Sequence, residues 1–296
     1  MRNIKIRIAQ QDESMNKKMK RVLNSILSLM LAVCVVMVIK SIKEDATSQN
    51  DYNEANMLAG IQDAETTEIP VPTGYEALSQ ETEPEATHTQ ESIPIPDDPV
   101  IHELLGTDLE ALRQENEDVV GWITMPGTII NYPLMQWTDN QFYLQHTWKQ
   151  TPNINGSIFI ECQNKRDFTD FNTIIYGHNM SNGAMFGTLR QFRGQTYWEE
   201  HPTFYIACDQ GVLRYDIFAV HKPGIDTIIY GLDLDTDEKK TRFIRFATDY
   251  SSYDTGIMPT IEDRIVTLST CSGQGYTTRW VVQGVLNEAA SYIIPE

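Results

Sequence analysis

Cysteine is scarce in this chain. There are four in 296 residues (Cys34, Cys162, Cys208 and Cys271), and no two form a CxxC pair. That count excludes a disulfide-rich scaffold, and the spacing argues against a structural zinc site. No cluster of metal-ligating side chains is evident, so neither a metal nor any other cofactor is expected. Basic residues are the second shortage. Lys and Arg number 23 against 41 Asp and Glu, a net charge of −18. A polyanion-binding surface spread over the molecule is therefore excluded, and no nucleic-acid partner is expected. Internal repeats are also missing.

The charge that is present is unevenly distributed. Residues 1–43 carry +7, residues 44–98 carry −14 without a single Lys or Arg, and residues 99–296 carry −11. Segments with such different balances are suited to different surroundings.

The first segment reads as a membrane anchor. Val22–Ile39 is eighteen residues without a charge, preceded by Lys17, Lys18, Lys20 and Arg21 and followed by Lys40 and Lys43. Eighteen helical residues reach roughly 27 Å, close to the ~30 Å hydrocarbon thickness. A cleaved signal peptide would have a shorter apolar core and a small-x-small site after it, which this stretch lacks. A buried helix of a soluble domain would show a polar stripe. The expected organisation is a cytoplasmic segment 1–21 and a single-pass signal-anchor helix 22–42. The excess of positive charge on the amino-terminal side puts the remainder of the chain outside the cell membrane. Cys34 within the span reads as a small apolar filler.

Residues 43–98 contain Pro70, Pro72, Pro84, Pro94 and Pro96, repeated Glu-Thr pairs and few large apolar side chains. Such a composition predicts a disordered, self-repelling linker. Residues 99–296 then form one domain of ordinary size. Apolar spacing from Ile101 to Val119 predicts two short helices, with Thr107 and Glu110 as a capping box. Beyond Gly121 the pattern changes to eight short β-type runs: Val120–Met125, Thr128–Tyr132, Ser157–Glu161, Asn172–Tyr176, Thr203–Ala207, Leu213–Val220, Arg264–Cys271 and Arg279–Leu286. Their Gly, Pro and Asn punctuation predicts a sandwich or a small closed barrel. Asp233–Tyr250 has helical spacing, so a helix is inserted between the sixth and seventh strands.

Three residues draw attention as chemistry. Cys271 ends an apolar strand and leads into Ser272-Gly273-Gln274-Gly275, which places it at a rim; the competing reading is a buried small hydrophobe. His178 follows the strand Asn172–Tyr176 through Gly177, taken here as a sharp turn that lets the ring project; the competing reading is a polar loop residue. Arg279 opens the last strand, seven residues after Cys271, where a guanidinium fork suits a developing oxyanion. Its competing reading is a surface arginine paired with a carboxylate. Taken singly, none of the three identifies a site.

Taken together, the motifs do. Thr267-Leu268-Ser269-Thr270-Cys271 with a downstream Arg279, and Asn172-Thr173-Ile174-Ile175-Tyr176-Gly177-His178-Asn179-Met180, resemble the signatures of class B sortases. The likeness continues through Val120-Gly121-Trp122-Ile123, Gly127-Thr128-Ile129-Ile130-Asn131-Tyr132-Pro133, Asp139-Asn140-Gln141-Phe142-Tyr143-Leu144 and Gly156-Ser157-Ile158-Phe159-Ile160. It thus covers the chain from about residue 99 to its end.

The resemblance implies a mostly β fold: an eight-stranded sortase barrel with amino-terminal helices and a helix between strands six and seven. It implies cysteine transpeptidation. Cys271 attacks the carbonyl after the threonine of a C-terminal sorting signal in a secreted protein, and an amine of a peptidoglycan precursor or cross-bridge takes the acyl group. By the same resemblance His178 moves protons, Arg279 holds the carbonyl and its oxyanion, and Asn140 and Leu144 match an Asn-x-x-x-Leu pair lining the substrate groove. Tyr176 and Ser269, two residues before the His and the Cys, are further substrate contacts. Ser272 stands where many members have an acid, and its backbone N–H is expected in the oxyanion hole. The implied setting is the outer side of the membrane in a Gram-positive-type envelope. Two alternatives remain open: a pilin polymerase using a pilin lysine as acceptor, and a non-catalytic wall-associated binding protein on the same barrel.

Overall fold

The computed structural model describes residues 2–61, 94–225, 227–271 and 277–294; within these ranges side chains are described from Met19 onward, Cys271 excepted. The chain divides into two compact units, Met1–Gln49 and Asn50–Glu296.

The first unit is helical throughout its described length, as part of helix α1 (Arg2–Leu58). Leu23, Leu27, Met30 and Val36 are all exposed, with no apolar face turned inward. Among the described residues this is the one helix long and apolar enough to cross a membrane, which makes it a candidate anchor.

The second unit starts before the composition suggests. Its opening residues continue α1 to Leu58, where a linker was expected from residue 43, and Tyr52, Ala55, Ala59 and Ile61 are buried in the main core. The Tyr52 hydroxyl lies 2.9 Å from Gly156 O and 3.2 Å from Ser157 Oγ. The Trp148 indole donates to Asp51 O at 2.7 Å, the Thr147 hydroxyl donates to the Asp51 carboxylate at 2.7 Å, and Lys149 pairs with Glu54. Buried apolar positions at i, i+3 and i+7, with backbone and side-chain partners for the polar ones, hold this helix end in place. Residues 62–93 of the expected linker lie outside the described residues.

Helix α2 (Pro99–Leu104) begins at Asp98, whose carboxylate accepts from Val100 N, with Pro99 in the first turn. Helix α3 (Leu109–Glu115) is capped by Asp108, which accepts from Ala111 N. The expected Thr107–Glu110 box is therefore displaced by one residue, because a carboxylate one position further on reaches the same orphan donors.

The strands are β1 (Val119–Thr124), β2 (Asn131–Met135), β3 (Ile158–Ile160) and β4 (Asn172–His178). After a short helix α4 (Gln195–Glu200) come β5 (Thr203–Cys208) and β6 (Gly211–His221). Helix α5 (Asp237–Asp249) precedes β7 (Ile265–Cys271), β8 (Val281–Leu286) and a two-residue β9 (Tyr292–Ile293). The order is β5-β1-β2-β3-β4-β7-β8-β6, and β5 also pairs with β6, which closes an eight-stranded barrel; β9 adds to β6. The β2–β3 and β4–β7 pairs are parallel and the others antiparallel. Strand β2 starts three residues later than the sequence pattern suggests. The turn at Gly127 (φ 73°) and the Thr128 hydroxyl, which donates to Met125 O at 2.8 Å, occupy the start of that run.

Alternation fills the barrel with Trp122, Leu134, Ile175, Phe204, Leu268 and Val282. A second cluster lies on the outer face, where Phe243, Ile244 and Ala247 of α5 meet Phe218, Ile265 and Val281. Burying a Phe or Ile side chain contributes about 1.5–3 kcal/mol, so this face is covered by a stable lid of helix. Thr236 caps α5 by accepting from Lys239 N, and Asp237 and Glu238 occupy its first turn.

Candidate active site

The candidate site is built on the outer face of β4, β7 and β8. β4 and β7 run parallel and in register from Asn172↔Ile265 through Tyr176↔Ser269 to His178↔Cys271. In a parallel pair, register partners share a face, and every second residue returns to it. His178 thus stands two positions beyond Tyr176 and opposite Cys271 in register. The side chain of Cys271 and all of Ser272 lie outside the described residues.

Contrary to the expectation of a sharp turn, Gly177 does not turn the chain. Strand β4 runs through it to His178, with Gly177 paired to Thr270. Its small size answers a close approach instead: a Cβ there would sit 2.5 Å from Ile158 Cδ1 and 2.8 Å from Phe186 Cγ. His178 is consequently held by a strand and not by a loop.

A cavity of about 270 Å³ opens on this face, lined by Asn140, Phe159, Tyr176, Ile225, Tyr230, Ser269 and Arg279. Four of the residues singled out from the sequence are therefore brought together: Asn140, Tyr176, Ser269 and Arg279. Arg279 lies just before β8, where its backbone N–H donates to Pro223 O at 3.1 Å and its Nη1 donates to Thr278 O at 3.2 Å. Leu144 is not among the lining residues. It ends a short 3-10 turn, Phe142–Leu144, started by Asp139, whose carboxylate accepts from Gln141 N and Phe142 N. Those two donors hold the Asp139 carboxyl below its ordinary range. From that turn the Leu144 carbonyl lies 2.7 Å from His178 Nε2. A carbonyl can only accept, so Nε2 carries the hydrogen and Nδ1 is the nitrogen left to exchange a proton.

Three contributors were not picked out from the sequence. Tyr230 and Ile225 come from the connection between β6 and α5, and the Tyr230 hydroxyl lies 2.9 Å from Ser269 Oγ. Glu161, just past β3, is 5% exposed, and its Oε2 accepts from Asn140 Nδ2 at 2.7 Å and from the Tyr176 hydroxyl at 3.0 Å. The available signal for Glu161 was an acid ending an otherwise apolar strand.

The other cysteines are poorly suited to attack. Burial pushes the Cys208 thiol up to about 11. Desolvation, then the Glu161 carboxylate, pushes the Cys162 thiol up as well. Cys34 lies in the apolar helix of the first unit. Thiolate is the nucleophilic form, and the settings of Cys208 and Cys162 disfavour it. No cluster of potential metal ligands occurs among the described residues.

A sortase-domain family model matches residues 123–287. Sortase B of Listeria monocytogenes is 37% identical over 183 residues, covering 60% of this chain and 74% of that protein. The chain belongs to the class B sortases. Among solved structures, a Staphylococcus aureus sortase B–substrate complex is similar with a TM-score of 0.59 and 30% identity, over 60% of this chain and 84% of that one. Bacillus anthracis sortase B in complex with AAEK1 gives 0.56 and 34%, over 60% and 83%. The expected sortase barrel with its apolar N-terminal helix and inserted α5 is therefore the observed one. As a sortase the chain falls among cysteine transpeptidases, which act on sorting-signal substrates and amine acceptors, and a role in the cell envelope follows from the family.

Proposed function

We propose that this sortase cleaves a C-terminal sorting signal after threonine and transfers the protein to an amine of a peptidoglycan precursor. The observation that carries the reading is the β4–β7 register, His178 opposite Cys271, at the end of a face where Arg279 lines a cavity. The Cys271 thiolate attacks the threonine carbonyl, and the carbonyl π electrons move onto oxygen to give a tetrahedral oxyanion. Arg279 and the backbone N–H of Ser272 stabilise that oxyanion. Collapse breaks the peptide C–N bond, His178 gives the leaving amine its proton, and a thioester remains on Cys271. The incoming amine reverses the sequence: it loses a proton to His178, attacks the thioester, and returns the thiolate.

The Leu144 carbonyl supports this use of His178, because fixing the Nε2 hydrogen assigns the exchanged proton to Nδ1. Asn140, Tyr176 and Ser269 receive the signal peptide in the cavity, and Leu144 contributes by holding His178. The anchor helix, with its basic residues inside, leaves the barrel on the outer side of the membrane of a Gram-positive-type envelope. The test is incubation of the full chain, in detergent, with a library of C-terminal signal peptides and candidate amines, read by mass. A transpeptidation product ending in threonine–amine supports the reading. Its absence with every pair, from a folded protein, overturns it.

A further inference from the structure

Glu161 takes no part in the steps above, yet it touches two of the residues that receive substrate in them. Its carboxylate is buried, and Oε2 accepts from both Asn140 Nδ2 and the Tyr176 hydroxyl, at 2.7 Å and 3.0 Å. Oε1 faces the Cys162 thiol at 3.3 Å and the Gln163 N–H at 3.4 Å. A carboxylate only accepts. Both groove residues are therefore obliged to donate to it.

The orientation of Asn140 is fixed a second time. The Cys162 backbone N–H donates to Asn140 Oδ1 at 2.8 Å, and a backbone N–H can have no other role. With Oδ1 occupied and one Nδ2 hydrogen on Glu161, what Asn140 retains for another group is an N–H. The single hydrogen of Tyr176 is engaged by Glu161, so its oxygen meets any further group only as an acceptor. A neutral partner at position 161 would leave the Tyr176 choice open and would weaken the hold on the Asn140 Nδ2 hydrogen, whose side the Cys162 N–H still sets.

We propose that Glu161 is a positioning residue that sets the hydrogen-bond polarity of the substrate groove, making Asn140 a donor and Tyr176 an acceptor toward the bound peptide. The complementary group carries an acceptor beside a donor, as an amide does. The proposal rests on the sortase reading for its substrate, but its geometric half does not. Two readouts keep the two apart.

The first readout needs no substrate. In full-length protein labelled with 15N-asparagine and held in detergent, the Asn140 side-chain amide is identified by its loss in Asn140→Ala. In Glu161→Gln its two protons are expected to shift toward the values of a solvated asparagine, and in Glu161→Asp to stay near wild type. An unshifted Asn140 amide in Glu161→Gln overturns the proposal whatever the enzyme cleaves.

The second readout is kinetic, with the peptide turned over best in the library experiment. Glu161→Gln is expected to raise KM about tenfold with kcat within about threefold. In an Asn140→Ala/Tyr176→Phe background the same change should add nothing, since the residues through which it acts are gone. A full tenfold effect in that background, or a fall in kcat without a rise in KM, overturns it. Unchanged thermal unfolding of Glu161→Gln separates positioning from loss of the fold; a variant that unfolds is replaced in both arms by Glu161→Asp, for which retained wild-type KM is the expected result and a tenfold rise the contrary one.

Discussion

The outer face of β4, β7 and β8 has two halves made by the same alternation. In the lower half, under α5, Thr267 donates to Asn172 Oδ1 at 2.7 Å and Gln283 donates to Thr267 at 2.9 Å. His221 Nε2 meets Gln283 Oε1 at 2.9 Å. This chain is buried, and its members mostly satisfy one another. In the upper half the same positions continue as Tyr176, Ser269, His178 and Cys271, but the cover changes to a cavity. Polar residues on one strand face thus become structure or chemistry according to what lies over them.

The comparison is broken most severely at the top of β7. Cys271→Ala is expected to lower signal-peptide cleavage at least about 10³-fold with an unchanged melting temperature; residual turnover near wild type would end the nucleophile assignment. Arg279→Ala should follow, with kcat down about 10²–10³-fold if it meets the oxyanion. A change confined to KM would instead make it a ground-state contact.

Gln283→Met probes the lower half. It leaves Thr267 and His221 without their shared partner, at a cost of about 1–3 kcal/mol in stability, while kcat/KM stays within about twofold. Denaturant unfolding and peptide kinetics on the same sample separate the two. A large catalytic loss without destabilisation would merge the halves. Tyr52→Phe removes only the hydroxyl that meets Gly156 O, and about 0.5–1.5 kcal/mol is expected in the unfolding of the barrel unit. If residues 50–61 were merely a spacer, it would have no effect.

The smallest effect concerns pH. Burial lowers the His221 pKa below its ordinary 6.5, and its Nδ1 is buried without a hydrogen-bond partner. The unfolded chain then binds the proton more readily than the folded one. Stability from this residue is full above the ordinary value and is lost as pH falls below it. His221→Gln should flatten that slope below about pH 6.5; an equal slope in both proteins would assign it elsewhere. Catalysis has its own pH dependence. If Cys271 and His178 act as an acid–base pair, cleavage rate against pH is bell-shaped, whereas a profile flat through both titrations argues against the pair.

The eight strands were legible as short apolar runs broken by turn residues. Those runs allowed a sandwich as well as a barrel, and the resemblance to class B sortases chose between them. The position of Cys271 at a strand mouth was read from the same runs. Other features are set by contacts the sequence does not display. Gly177 is small because Ile158 and Phe186 crowd it, which no local pattern distinguishes from a turn. Glu161 matters through Asn140 and Tyr176, twenty-one residues before it and fifteen after. The buried end of α1 was hidden by averaging. Tyr52, Ala55 and Ala59 carry a helical stripe, but fourteen acids spread over residues 44–98 outweigh it in composition.

The most direct test of the central claim is to trap the acyl-enzyme. The full chain is mixed with an excess of the best signal peptide, quenched in acid without an acceptor amine, and analysed by peptide mass. The account predicts an adduct equal to the peptide through its threonine, on Cys271, that is released by hydroxylamine as a thioester is. An adduct on another residue, or cleavage with no adduct and undiminished in Cys271→Ala, would contradict it.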